Sequence, residues 1–341
     1  YPAAKNAFQK QIEVNPFDQW AYANLGRVHW RLREYDQAVQ AFQKQIEINP
    51  LDRFAHADLG SLYLEQKNYA DALPEMEKAA GITPDDPGVH FGLGQAYLWR
   101  GLTDKALAAF DKALDLAPRP DTWNNIAYQL SLKNVQLDRA LTYAESAVSV
   151  VSAELRNVSL ERLTVTDLAR VSALSAYWDT LGWVHFQTGN LEKAEKYVRA
   201  SWLVVPHGEV GDHLGQVYEK QGRKQDAIRT YAQAITSSRP VPETRGRLAA
   251  LVGGEAAVDR MLMTAGGELS ELRTMNLGKF PDQSGSAEYF VLIGADRKAE
   301  QLMFVSGKET LRPLEAKLRS VTYPVEFPDD TRTKLVRRGV L

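Results

Sequence analysis

The chain contains no cysteine, which removes disulfides, thiolate nucleophiles and cysteine-ligated metals together. The redox compartment stays open, because absence of the residue suits reducing and oxidising surroundings alike. No apolar run approaches the roughly 20 residues that a membrane-crossing helix needs, so membrane insertion is not expected, and no signal peptide is seen. The first residue is Tyr1 rather than Met, which leaves room for a targeting segment that has been removed. Charge of one sign is also lacking. The 341 residues carry 41 Lys and Arg against 43 Asp and Glu, for a net charge of −2, whereas a nucleic-acid binder usually shows a basic excess or stripe. Nucleic acid is therefore not an expected partner.

Catalytic signatures are missing too. Gly92-Leu93-Gly94 lacks the third glycine of a dinucleotide fingerprint, and Gly278-Lys279 and Gly307-Lys308 run into Phe and Glu rather than Ser or Thr. Neither Gly-x-Ser-x-Gly nor His-Glu-x-x-His occurs. The expectation is a chain without enzymatic activity, cofactor or metal. A composition of 44% hydrophobic and 25% charged residues is ordinary for a folded protein, and the length gives room for two or more cores.

What is present is a period. Pro16, Pro50, Pro84 and Pro118 follow one another at 34 residues, and the same frame holds Leu25-Gly26, Leu59-Gly60 and Leu93-Gly94. Ala38, Ala72 and Ala106 come next, then Phe42, Met76 and Phe110. A period of this size decides the architecture before any local reading does. Each unit reads as two amphipathic helices: Tyr22, Leu25 and His29 share a face of the first, and Ala38, Phe42 and Ile46 a face of the second. The small Gly and Ala let paired helices approach closely, and the terminal proline, in Asn49-Pro50 as in Asn15-Pro16, ends the unit because proline cannot continue the helix.

This pattern resembles the tetratricopeptide repeat, matched best by His90, Leu93, Gly94, Tyr97, Ala106, Phe110, Ala113 and Pro118, where only His90 departs from the usual aromatic. The resemblance implies a mainly α fold, a right-handed superhelix or α-solenoid that works by binding protein. Repeats are expected at about 17–50, 51–84, 85–118, 119–150, 175–206 and 207–239, after a half repeat at 1–16. The Leu-Gly of 181–182 arrives late, so residues 150–174 form an insertion, an added helix or an extension, with Thr166 or Asp167 as a helix cap. A closing helix is expected over 243–265, completing a solenoid of residues 1–265, and a linker over 266–285.

Beyond the linker the period becomes two. Residues 286–293 and 299–305 read as strands, 308–320 as a helix, and 321–327 and 333–341 as strands, a small α+β domain of order β-β-α-β-β over 286–341. This order, with Ser306-Gly307 before the helix, resembles the C-terminal domain of TonB-like proteins, although Thr322, Tyr323 and Pro324 replace the usual Trp-Arg-Phe. The combination, in AYWDTLGWVHF, GEVGDHLGQVYEKQGR and FPDDTRTKLVRRGVL, is similar to the C-terminal half of bacterial exported proteins bearing a transglutaminase-like domain. That likeness implies a secreted, cell-surface or periplasmic location and a catalytic domain outside these residues.

In the repeat family the first helix of each unit lines the binding face. The positions that correspond hold Trp20, Asn24, Arg27, Trp30 and Arg31, then Phe54, Asp58 and Leu64, then Phe91, Gln95 and Trp99, then Asn124, Tyr128, Trp183 and Phe186. Aromatic surface costs about 25 cal/mol per Å² to leave in water, so these residues either pack between helices or form a groove for an extended peptide, for the chain's own tail or for a second copy. Arg27, Ser61 and Gln95 stand where a carboxylate-clamping member carries Lys or Asn, which argues against that specificity.

The lone half repeat leaves Ala4, Phe8 and Ile12 without a partner on one side, and head-to-tail assembly with other copies of the chain, extending into filaments, is one expectation. Recruitment of substrates to an upstream catalytic domain is the alternative. His56 and His90, 34 apart, are read as packing or surface residues because a metal would want a third ligand, and His29 and His185 as interhelical hydrogen-bonders. The cations Arg332, Lys334, Arg337 and Arg338 are read as guarding a sheet edge, and Asn157-Val158-Ser159 as a chance sequon.

Overall fold

The computed structural model describes residues 1–18, 20–277, 285–328 and 332–341, which divide into two compact units, 1–122 and 123–341. Sixteen α-helices and three strands occur among the described residues. In the first unit α1 (Pro2–Val14) precedes three helix pairs: α2 (Ala21–Arg31) with α3 (Tyr35–Ile48), α4 (Arg53–Glu65) with α5 (Tyr69–Ile82), and α6 (Pro87–Trp99) with α7 (Thr103–Leu116). The turns between pairs follow from four residues. In Asn15-Pro16-Phe17-Asp18 the Asn15 side chain accepts from the Phe17 N–H at 3.2 Å, and Asp18 Oδ1 accepts from Trp20 and Ala21 at 2.9 Å, satisfying the orphan donors of α2. Asn49 and Asp52 repeat this one period on, and Asp86 caps α6 in the same way.

Within each pair the Leu-Gly glycine is where the helices touch. A Cβ at Gly26 would lie 2.7 Å from the Phe42 ring, and one at Gly94 2.5 Å from Phe110. Both rings are fully buried. Phe8 occupies the place in α1 that Phe42 holds in α3, yet Ala4, Phe8 and Ile12 are only half-buried, because α1 packs chiefly on α2. Lys5 fastens α1 by reaching Glu34 at 2.7 Å, beside His29 Nδ1 at 2.5 Å on the same carboxylate. His56 and His90 are ties between repeats: their Nε2 atoms donate to the carbonyls of Pro50 and Pro84, at 3.0 and 2.8 Å.

The second unit continues with α8 (Pro120–Leu132), which the unit boundary crosses, and α9 (Leu137–Leu155). Then come α10 (Val165–Gln187) with α11 (Leu191–Val204), α12 (Gly208–Lys220) with α13 (Lys224–Thr236), and α14 (Pro242–Val252) with α15 (Glu255–Glu271). The insertion is an extension and not a new α-helix: α9 runs to 19 residues and α10 to 23, joined through one 3-10 turn at Leu160–Arg162. Its cap is Thr164, not Thr166 or Asp167. Thr164 accepts from the Asp167 N–H while Asp167 accepts from Thr164, a reciprocal capping box. The single closing helix expected over 243–265 is two helices, parted at Gly253 and Gly254, whose φ of 89° and 121° only glycine adopts readily. The expected linker is also shortened, since Gly266 and Gly267 sit inside α15, which runs to Glu271; residues 278–284 of it lie outside the described residues.

The C-terminal sheet has three strands, β1 (Ala287–Ile293), β2 (Ala299–Gly307) and β3 (Leu335–Val340), in order β2-β1-β3 and antiparallel throughout. A 3-10 stretch Glu309–Leu314 holding Pro313 leads into α16 (Glu315–Ser320). The fourth strand expected over 321–327 does not form. Pro324 has no N–H to give to a ladder, Tyr323 donates instead to Arg297 O, and the Val325 N–H turns back to Tyr323 O. The observed order is therefore β-β-α-β. The sheet is seated on the insertion and on α11: Gln301 on β2 accepts from the Leu160 N–H at 2.7 Å, and the Arg337 guanidinium of β3 donates to Leu203 O at 2.8 Å and to Val204 O at the end of α11. Burial, with help from the charge of Arg273, pulls the Arg337 pKa down to about 10.

Candidate functional site

The first-helix faces of the two units use similar residues differently. In the first unit Trp20 is 53% exposed and Phe54 38% exposed, with ring centroids 6.4 Å apart. Two guanidiniums lie over the Phe54 ring, Arg27 at 5.3 Å and Arg53 at 4.4 Å. Arg27 is also held by Asp58 at 2.5 Å; burial pushes the Asp58 carboxyl above its usual range despite that cation. The other aromatics of these first helices are committed to internal contacts. Trp30 donates to Glu65 at 2.7 Å and meets Phe42 edge-on, Phe91 leans on Phe110 at 5.8 Å, and Trp99 stacks on Tyr69 at 5.0 Å.

In the second unit the corresponding face is filled by the chain itself. Trp183 is buried, stacked between Phe186 at 4.7 Å and His213 at 4.1 Å. Tyr128 donates to Glu209, and burial together with that carboxylate drives its pKa upward. His213 meets Asp179 at 3.0 Å; burial opposes its charge, but the neighbouring Asp179, Glu209 and Asp212 outweigh this and leave the pKa raised. Asp212 accepts from Thr244 at 2.7 Å, Arg247 at 2.9 Å and Gln216 at 2.7 Å. Helices α8, α10, α12 and α14 are thus laced across their shared face. Two buried atoms in this region, Asn124 Oδ1 and Trp183 Nε1, have no hydrogen-bond partner among the described residues.

The structure therefore brings Trp20, Arg27 and Phe54 together at an accessible surface, and places Trp183 in a buried stack with Phe186 and Tyr128 half-buried around it. The lacing of the second unit was missed in the sequence, although Asp179 and His213 stand one 34-residue period apart, a spacing that could have paired them. The cations of the last strand are spoken for: Lys334 meets Glu300 at 2.8 Å, Arg338 grips Glu288 at 2.6 and 2.8 Å, and Arg337 binds the two carbonyls described above. A cavity of about 1300 Å³ lies beside them, lined by Leu269, Arg273, Tyr289, Tyr323 and Arg337. No group of three or more His, Asp or Glu suited to a metal occurs among the described residues, and no described helix is long and apolar enough to cross a membrane.

Tetratricopeptide-repeat family models match residues 1–53, 24–87, 63–126, 175–201 and 212–243. No curated protein matches the chain. Among solved structures, it is similar to a tetratricopeptide repeat protein from Parabacteroides merdae, with 13% identity and a TM-score of 0.56 over 76% of this chain and 90% of that one. It is also similar to a chain of the APC/C hetero-tetramer Cut9-Hcn1, at 14% identity and a TM-score of 0.53, over 76% of this chain but 46% of that chain's length. PilW, a type IV pilus biogenesis factor, matches at 17% identity and a TM-score of 0.50 over 67% of this chain and 98% of its own. At such identities these structures speak for the fold alone. Family matches that together span residues 1–126, 175–201 and 212–243, on helix pairs packed at Leu-Gly, place the chain in the tetratricopeptide-repeat family.

Proposed function

We propose that the chain is a non-catalytic scaffold that binds a protein segment on the first-helix face of residues 1–122. Repeats of this family serve as protein-binding scaffolds, and one observation carries the placement: Trp20 and Phe54 form an exposed aromatic pair, whereas on the first-helix face of residues 123–341 Trp183 is stacked between Phe186 and His213 and Tyr128 is tied to Glu209. Partially exposed aromatic surface beside cations is the usual anchor of a recognition site. Peptides selected by display against the full chain should bind the parent and weaken by about tenfold or more, some 1.4 kcal/mol, in the Trp20→Ala/Phe54→Ala double variant. Unchanged affinity would reject this face.

Head-to-tail association of copies and recruitment of substrates to a separate catalytic domain are two uses to which such a scaffold lends itself. Sedimentation velocity separates them. Growth of the sedimentation coefficient with concentration favours self-assembly through α1, and a constant monomer value favours recruitment.

A further inference from the structure

Two further exposed apolar side chains stand in the turns that lead into Trp20 and Phe54, and the four are read as one ridge. Phe17 is 77% exposed and Leu51 74% exposed, and they occupy the same position in two successive turns, one period apart, just as Trp20 and Phe54 do. Each lies three residues before its aromatic neighbour, in the tight Asn-Pro-x-Asp turn that fixes the backbone around it. The next turn does not continue the ridge, since the corresponding residues are Asp85 and Gly88. Nothing in the helix pairing requires Phe17 or Leu51 to be apolar, because both side chains point away from the pairs that the turns connect.

The charge beside the ridge is one-sided. Arg53 is exposed, lies 4.4 Å over the Phe54 ring and has no carboxylate partner among the described residues, while Arg27 is matched by Asp58. Asp18, the nearest acid in the first turn, is occupied by the N–H groups of Trp20 and Ala21 and by Gln11. The area also limits the occupant. At the fractional exposures given above, the four side chains offer on the order of 500 Å², which fits one functional patch on a monomer. It falls short of the roughly 800 Å² per partner of a standard stable interface.

From this we infer that the Phe17–Trp20–Leu51–Phe54 ridge docks a short partner segment in which apolar side chains are followed by a carboxylate, the apolar part lying on the four side chains and the carboxylate meeting Arg53. The inference rests on the protein-binding reading above and adds the extent of the site and the chemistry of its ligand. A second copy of the chain is disfavoured as occupant by the area.

The probe is a labelled peptide with a leucine-phenylalanine pair flanked by glutamates, compared by fluorescence anisotropy with counterparts carrying glutamine or lysine, against the full chain. The acidic peptide should bind more tightly than the neutral one by about tenfold, the scale of one close charge pair, and Arg53→Glu should reverse the order in favour of the lysine peptide. Leu51→Ser should weaken the acidic peptide several-fold while the circular dichroism spectrum and melting temperature stay put, since both sites are exposed. Equal affinity for the three peptides, no detectable binding of any, or indifference to both substitutions would overturn the inference, as would a dimer in sedimentation equilibrium abolished by Leu51→Ser. If display-selected peptides still depend on Trp20 and Phe54 while ignoring Arg53 and Leu51, the first-helix reading stands and only this inference falls.

Discussion

The same repeat chemistry leads to opposite surfaces in the two units. Residues 1–122 keep Trp20 and Phe54 accessible, whereas residues 123–341 bury Trp183 in a stack with Phe186 and His213 and tie the half-buried Tyr128 to Glu209. The difference traces to what stands opposite each aromatic. Trp183 has His213 to stack on and Asp179 to fix that ring, while Phe54 meets the exposed Trp20 ring and the guanidiniums of Arg27 and Arg53. A repeat can thus spend its first-helix face on holding itself together or leave it for a partner.

The contrast predicts unequal mutational costs. Replacing Asp212 by Ala strands Thr244, Arg247 and Gln216 around a buried site, and should lower stability by about 3–5 kcal/mol, as for other broken buried ion pairs. Replacing Arg27 by Met in the first unit should cost within about 1 kcal/mol, because that pair is half-exposed. Urea denaturation of the full chain measures both, and equal costs would erase the distinction between the units.

A smaller effect depends on pH. Both ring nitrogens of His56 face acceptors, Glu75 Oε2 at 2.5 Å and Pro50 O at 3.0 Å, so the doubly protonated ring fits this position. Its pKa is raised chiefly by the Glu75 hydrogen bond, against the opposing effect of burial. A raised native pKa means the contribution is complete below the unfolded value of about 6.5 and is lost as pH climbs through the native one. His56→Gln should therefore destabilise the protein by about 1.5–3 kcal/mol at pH 6, the range for hydrogen bonds to charged groups, with the gap narrowing at pH 9. A gap constant in pH would mean that the ring is neutral in the native state. Trp20→Ala/Phe54→Ala should cost about 0.5–3 kcal/mol, less than Asp212→Ala, since 53% of Trp20 and 38% of Phe54 stay exposed; a loss as large as that of Asp212→Ala would show that the pair belongs to the core.

The helix pairs were legible because their determinants are local and recur: Leu-Gly, the facing aromatic and the terminal proline all stand at fixed offsets within 34 residues. The half-buried state of Phe8 follows from the same frame, since its equivalent Phe42 needs a first helix that α1 does not have beside it. Elsewhere the signal was weaker or nonlocal. Gly253-Gly254 breaks a stretch whose amphipathic pattern continues on both sides, and Thr164 was hidden by two nearby residues that also favour caps. The three-stranded sheet differs from the expected four because alternation in 321–327 survives around a proline that forbids the ladder. Of the candidate surface, the aromatic positions could be read from the repeat. Which of them stay exposed depends on side chains one period away, as with Asp179 and His213, and no window of contiguous residues shows that.

The late arrival of Leu181-Gly182 carries one more consequence. Gln301 is anchored on the backbone of the 3-10 turn that the lengthened α9 and α10 bring into being. Trimming the chain to restore an uninterrupted 34-residue rhythm would remove the Gln301 anchor and leave the terminal sheet held by Arg337 on α11. Irregularity here is the mortise into which a second kind of architecture is fitted.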